Sequence, residues 1–130
     1  MSMVKSGIVV LGISFGLALG ACGTKPILNV NDAPVSNSKA LPSSQVRQTI
    51  VTAGSALGWK FVDVKPGLLE GTLRLREHTA VVEIPYSTSK YSIVFKSGTN
   101  LGEKDGQIHK NYNGWVKNLE KGINAGLASL

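Results

Sequence analysis

Residues 69–96 read LEGTLRLREHTAVVEIPYSTSKYSIVFK, and three runs within them alternate apolar and polar side chains. In Leu69–Arg76, the residues Leu69, Gly71, Leu73 and Leu75 point one way and Glu70, Thr72, Arg74 and Arg76 the other. Thr79–Tyr86 places Ala80, Val82, Ile84 and Tyr86 on one side, and Tyr91–Lys96 does so with Tyr91, Ile93 and Phe95. A period of two marks a strand with one buried face. A two-residue turn at Glu77-His78 sets Leu75 opposite Ala80, Leu73 opposite Val82 and Gly71 opposite Ile84. A turn over Ser87–Lys90 sets Tyr86 opposite Tyr91, Ile84 opposite Ile93 and Val82 opposite Phe95. Every apolar residue then shares one face, whereas a one-residue slip turns a whole strand over. The stretch predicts an antiparallel meander with one wet face. Its weak point is the first turn, because Glu-His is not a favoured hairpin pair.

Helices flank this region. Pro42-Ser43-Ser44 opens the first, with either serine as N-cap. Val46, Ile50, Ala53 and Leu57 line one side of it, and Gly58 is placed to end it in the left-handed conformation. Trp59–Lys65 reads as a first strand and Pro66-Gly67 as a turn. Beyond the loop Ser97–Gln107, a last helix begins near His109–Asn111, with Asn111 as candidate N-cap. Its stripe is Tyr112, Trp115, Val116, Leu119, Ile123 and Leu127. Gly114, Gly122 and Gly126 each cost about 1 kcal/mol relative to alanine, so this helix depends on packing. The expected fold class is α+β. It is a two-layer sandwich of an antiparallel sheet of about four strands, with an N-terminal and a C-terminal helix on one face.

Ahead of the domain, Thr24–Leu41 (TKPILNVNDAPVSNSKAL) is rich in Pro, Asn, Ser and Asp. It reads as a tether, with Pro26–Val30 as a candidate short edge strand. Further upstream, Met1–Lys5 carries one positive charge, and Gly7–Leu19 is an uncharged apolar run with the length of a signal-peptide core. Then comes Leu19-Gly20-Ala21-Cys22, which resembles the bacterial lipobox. The thiol takes a diacylglyceryl thioether, the small residues at 20 and 21 admit the backbone to the signal peptidase, and the new amine is acylated. Two other readings stay open: an uncleaved anchor helix beside a plain cysteine, and an ordinary export signal with an incidental cysteine. Glycines at 7, 12, 16 and 20 weaken the first, and the presence of a single Cys in the chain weakens the second. The expected organisation is 1–21 lipoprotein signal peptide, 22–41 lipidated Cys22 and flexible tether, and 42–130 small α+β domain. Several acyl chains anchor firmly to a membrane where one does not. Gly23 in place of Asp after the cysteine favours the outer membrane, facing the periplasm, in an enterobacterial type of host.

Composition narrows the function classes. With 42% hydrophobic and 17% charged residues the chain is not disordered. A single cysteine excludes an intramolecular disulfide framework and a multi-cysteine metal site. Of 14 Lys and Arg, one (Lys5) lies in the expected export segment, which leaves 13 against 8 Asp and Glu, a net charge of +5. That charge suits anionic neighbours such as phospholipid head groups, lipopolysaccharide or peptidoglycan, although it also serves solubility alone. No nucleic-acid partner, cofactor or metal is expected.

The candidate interaction surface combines Arg74, Arg76, Glu83 and Lys96 of the wet sheet face with His78 at the turn and the segment His109, Asn111, Tyr112, Asn113 and Trp115. His78 and His109 have no spaced ligand partner. No serine sits in G-x-S-x-G. Tyr112 and Trp115 are three apart on one helix side, so core packing competes with stacking on a sugar or gripping a partner. The run Arg76–Ile84, then Tyr91-Ser-Ile93, Ser97–Leu101 and Ile108–Trp115 is similar to a group of small proteobacterial lipoproteins of uncharacterised function. That resemblance implies a lipid-anchored domain facing the periplasm and brings no activity with it. The expected role is a non-enzymatic binding or accessory module. Its alternatives are a binding module for an anionic glycan or lipid, and a small hydrolase or lyase using His78 or His109 with Glu83.

Overall fold

The alternating stretch forms the middle of a five-stranded antiparallel sheet. A computed structural model describes residues 23–130. In chain order the elements are β1 (Thr24–Pro26), β2 (Val30–Pro34), α1 (Ser43–Ala56), β3 (Lys60–Lys65), β4 (Leu68–Leu75), β5 (His78–Pro85), β6 (Lys90–Thr99), β7 (Gln107–His109) and α2 (Lys110–Ala128). The sheet order is β2-β6-β5-β4-β3, and β1 pairs separately with β7. The α+β class and the two packed helices are as expected, but the described residues hold seven strands in two sheets in place of one meander of about four.

The first hairpin turns at Arg76-Glu77, one residue earlier than Glu77-His78, which shifts the pairing by two. Leu75 faces His78, Leu73 faces Ala80, Gly71 faces Val82 and Leu69 faces Ile84. Arg76 takes a positive φ of 56° as the first central turn residue. An even shift leaves each side chain on its face, so the apolar pattern is kept while the pairs change. His78 thereby leaves the turn and starts β5. In the second hairpin Tyr86 faces Tyr91 and Val82 faces Phe95, as the Ser87–Lys90 turn requires. Val81 then faces Ser97, so Lys96 is the extra residue of a bulge.

One face of the sheet is covered. Val46 and Ile50 of α1, with Tyr112, Val116, Leu119, Ile123 and Leu127 of α2, are fully buried against Leu69, Ala80, Val82, Ile84 and Ile93. Leu57, expected on the inner side of α1, is 44% exposed. Its place at the contact is taken by Thr49 and Gly54. Gly54 is required there: a Cβ would stand 2.6 Å from Cε2 of Phe61 and 3.2 Å from Leu119. Gly58, at φ 96°, ends α1 as expected. Neither serine caps the start of α1; Pro42 is the N-cap, and its carbonyl accepts from Gln45 and Val46. Arg47 grips Asp63 of β3 through two 2.8 Å bonds, and this guanidinium holds the Asp63 carboxyl below its usual range.

The stretch from Thr24 onward, expected as a tether, is part of the domain. Val30 and Ala33 are buried, and β2 lies along β6. Side-chain amides hold it there. Asn29 Oδ1 accepts from Phe95 N–H at 2.9 Å, beside the Lys96 bulge. Asn37 Nδ2 donates to the Leu127 carbonyl at the end of α2. Asn113 of α2 accepts from Leu28 N–H at 3.0 Å and donates to the Pro26 carbonyl at 2.8 Å. Asparagines that suggest turns by composition here bond backbone distant in sequence. The expected signal peptide, residues 1–21, and Cys22 lie outside the described residues. Among the described residues no helix is long and apolar enough to cross a membrane.

Two glycine substitutions are expected to act in opposite directions. Gly54→Ala should destabilise by about 1–3 kcal/mol, because the Phe61 ring and Leu119 leave no room. Gly114→Ala, which meets nothing within 4 Å, should stabilise by up to about 1 kcal/mol. Urea midpoints at unchanged m-value measure both.

Candidate functional site

Three distant parts of the chain meet at one end of the domain: the start of β5, the end of β7 and the first turns of α2. They bring His78, His109 and Trp115 together. The two imidazole centroids are 5.0 Å apart, tilted by 51°, and Trp115 lies 6.1 Å from His78. All three side chains are half-buried. His78 Nδ1 is 2.8 Å from the Asn100 carbonyl oxygen, which can only accept. Nδ1 therefore carries a proton, and a neutral His78 then keeps its lone pair on Nε2. His109 has the opposite arrangement. It is the N-cap of α2, a role expected of Asn111, and its Nδ1 accepts from Asn111 N–H at 3.2 Å. A neutral His109 then carries its proton on Nε2.

Behind the imidazoles an aromatic row runs into the core. Tyr112 stands edge-on to Trp115 at 6.4 Å and to Phe95 at 5.3 Å. Tyr112 is fully buried and its hydroxyl has no hydrogen-bond partner among the described residues. Burial pushes this phenol well above its ordinary pKa. Tyr91 is also buried, but its hydroxyl donates to Asn124 Oδ1 at 2.6 Å.

The structure separates the surface expected from sequence into two. His78 shares the helix-covered side of β5 with Ala80, Val82 and Ile84, so Glu83 stands on the other side. Arg74 and Lys96 are on that open side with Glu83. Lys96 Nζ bonds Glu70 at 2.6 Å and lies 3.9 Å from Glu83. The bond to Glu70 raises the lysine pKa. Arg76 sits in the turn between the two regions. Asn113 belongs to neither, because both poles of its amide are committed to Pro26 and Leu28. Asn111 keeps an exposed side chain, while its backbone N–H serves the cap. Tyr112 is core.

This arrangement limits the chemistry. Glu83 is not available to either histidine as an acid–base partner. Among the described residues no three metal-ligating side chains converge. A concavity of about 640 Å³ lies between α1 and α2, remote from the imidazoles. Gln45, Gln48, Thr52, Ala53, Gly122 and Gly126 line it with others, and it contains no acidic, basic or imidazole side chain.

The open side of the sheet was legible as wet, but not as apolar. Val62 of β3, opposite Glu70, is 59% exposed there, and Val64, at the bulge that follows Asp63, is 50% exposed. Leu68, Val81 and Val94 are half-buried beside the Glu70–Lys96–Glu83 group. The alternation about Asp63 carries the signal: Asp63 faces the helix through Arg47, which turns Val62 outward, while Val64 is the extra residue of a bulge between Asp63 and Lys65. Comparisons with protein-family models, curated proteins and solved structures found no match.

The two buried tyrosines are expected to respond differently to loss of the hydroxyl. Tyr112→Phe should be neutral or stabilising, since it removes an unpartnered buried group. Tyr91→Phe should cost about 0.5–1.5 kcal/mol through the lost bond to Asn124. Thermal unfolding of both variants checks the contrast, and a larger loss for Tyr112→Phe contradicts it.

Proposed function

We propose that this chain is a lipid-anchored envelope protein, attached through Cys22 at the outer membrane and facing the periplasm. In this reading it serves as a non-enzymatic binding module for another envelope protein. The observation that carries the binding role is the open sheet face with its exposed Val62 and Val64. Apolar surface left in water costs about 25 cal/mol per Å², which a partner recovers on docking. Beside the valines, Glu70, Lys96 and Glu83 supply charges that fix orientation more than they add affinity. The anionic-glycan alternative has less support, because it needs Tyr112 or Trp115 exposed beside a basic cleft, and Tyr112 is buried and Trp115 half-buried. The hydrolase or lyase alternative has less support, because Glu83 stands on the other side of the sheet from His78.

A photo-crosslinking residue at position 62 or 64 tests the proposal in intact cells. A discrete adduct is expected from both positions and none from position 121 on α2. Val62→Lys with a crosslinker at 64 should abolish it. The same background pattern from all three positions contradicts the binding face. For the anchor, the wild-type protein should carry a lipid mass adduct that Cys22→Ser lacks. Wild-type protein without the adduct contradicts the lipid reading.

A further inference from the structure

We infer that the β1–β7 end of the domain rests directly in a phospholipid head-group layer, with Trp115, His78 and His109 at the membrane interface. The inference rests on the lipid anchor proposed at Cys22 and adds the orientation and the contact surface.

Thr24 pairs with His109 across β1 and β7. Antiparallel partners stand about 5 Å apart at Cα. Cys22 precedes Thr24 by two residues, which span at most about 7 Å of extended chain. The polar layer on each side of a bilayer's hydrocarbon core is about 5–8 Å thick. A lipid on Cys22 therefore leaves no spacer between the bilayer and this end of the domain. The first strand cannot peel away cheaply to supply one. Asn113 bonds both Pro26 and Leu28, and Ile27 N–H bonds the Gly106 carbonyl at 2.9 Å.

The side chains at this end suit that position. Trp115 and the two imidazoles are half-buried, each with an apolar ring and a polar nitrogen. Tryptophan concentrates at membrane–water interfaces for this reason. Lys25 and Lys110 are exposed on β1 and at the start of α2. With Arg76 and Lys104 they slightly outnumber Glu77, Glu103 and Asp105 in the adjoining turn and loop. The small cationic excess suits a surface containing anionic lipid.

The test uses the full lipidated chain purified from membranes and placed in phosphatidylethanolamine–phosphatidylglycerol vesicles. Trp59→Phe leaves Trp115 as the single tryptophan. A head-group nitroxide lipid is expected to quench about half of its emission, as for a residue at the interface. A flexible Gly/Ser spacer of about 12 residues between Gly23 and Thr24 should abolish the quenching while vesicle binding persists. Should Trp59→Phe disturb the core, Lys110→Cys carrying an environment-sensitive dye gives the same readout from the surface. Lipid-bearing, vesicle-bound protein that is unquenched, or equally quenched with the spacer, overturns the orientation alone. A protein without a lipid adduct overturns the anchor and the orientation together.

Discussion

The Asn113 carboxamide joins the N-terminal segment to the rest of the molecule. Its oxygen accepts from Leu28 N–H and its nitrogen donates to the Pro26 carbonyl. The link between β1 and β2 is thereby fixed to the first turns of α2. Both strands depend on that placement: β1 must reach β7, and β2 must reach the edge of β6. Hydrogen bonds of this kind each add about 0.5–1.5 kcal/mol. A three-residue strand such as β1 has little else to hold it.

The same segment determines what lies near the chain's expected attachment point. A free tether would let the domain sample many orientations. A clasped strand puts the histidine and tryptophan cluster next to Thr24, two residues after Cys22 in sequence. The open sheet face lies on the side of the sheet away from the helices, with its valines uncovered. The proposed division of labour follows from this geometry: one end meets lipid, and a separate face meets a partner.

Much of the sheet was legible because period-two alternation in residues 69–96 encodes faces directly. It does not encode pairing to the residue. A shift of two preserves every face, so the turn at Arg76-Glu77 and the one at Glu77-His78 are equivalent to the pattern. What separates them is a backbone conformation, the positive φ of Arg76. The stripe of α2 was legible for the same reason of periodicity. The N-terminal strands were not, since Asn29, Asn37 and Asn113 hold them through side chain–backbone bonds across 66 to 90 residues of sequence. Asn-rich composition reads as turn unless the distant acceptor is known. The contact of His78 with His109 is likewise long-range and leaves no local trace.

Amide hydrogen exchange tests the central claim, that residues from Thr24 onward belong to the folded domain. The N–H groups of Ile27, Leu28 and Val35 bond Gly106, Asn113 and Ser89 respectively. They are expected to exchange far more slowly than an unfolded chain, through the same global opening as the amides of β5. Exchange of all three at unfolded-chain rates would make this stretch a free tether and remove the basis for placing one end of the domain on the membrane.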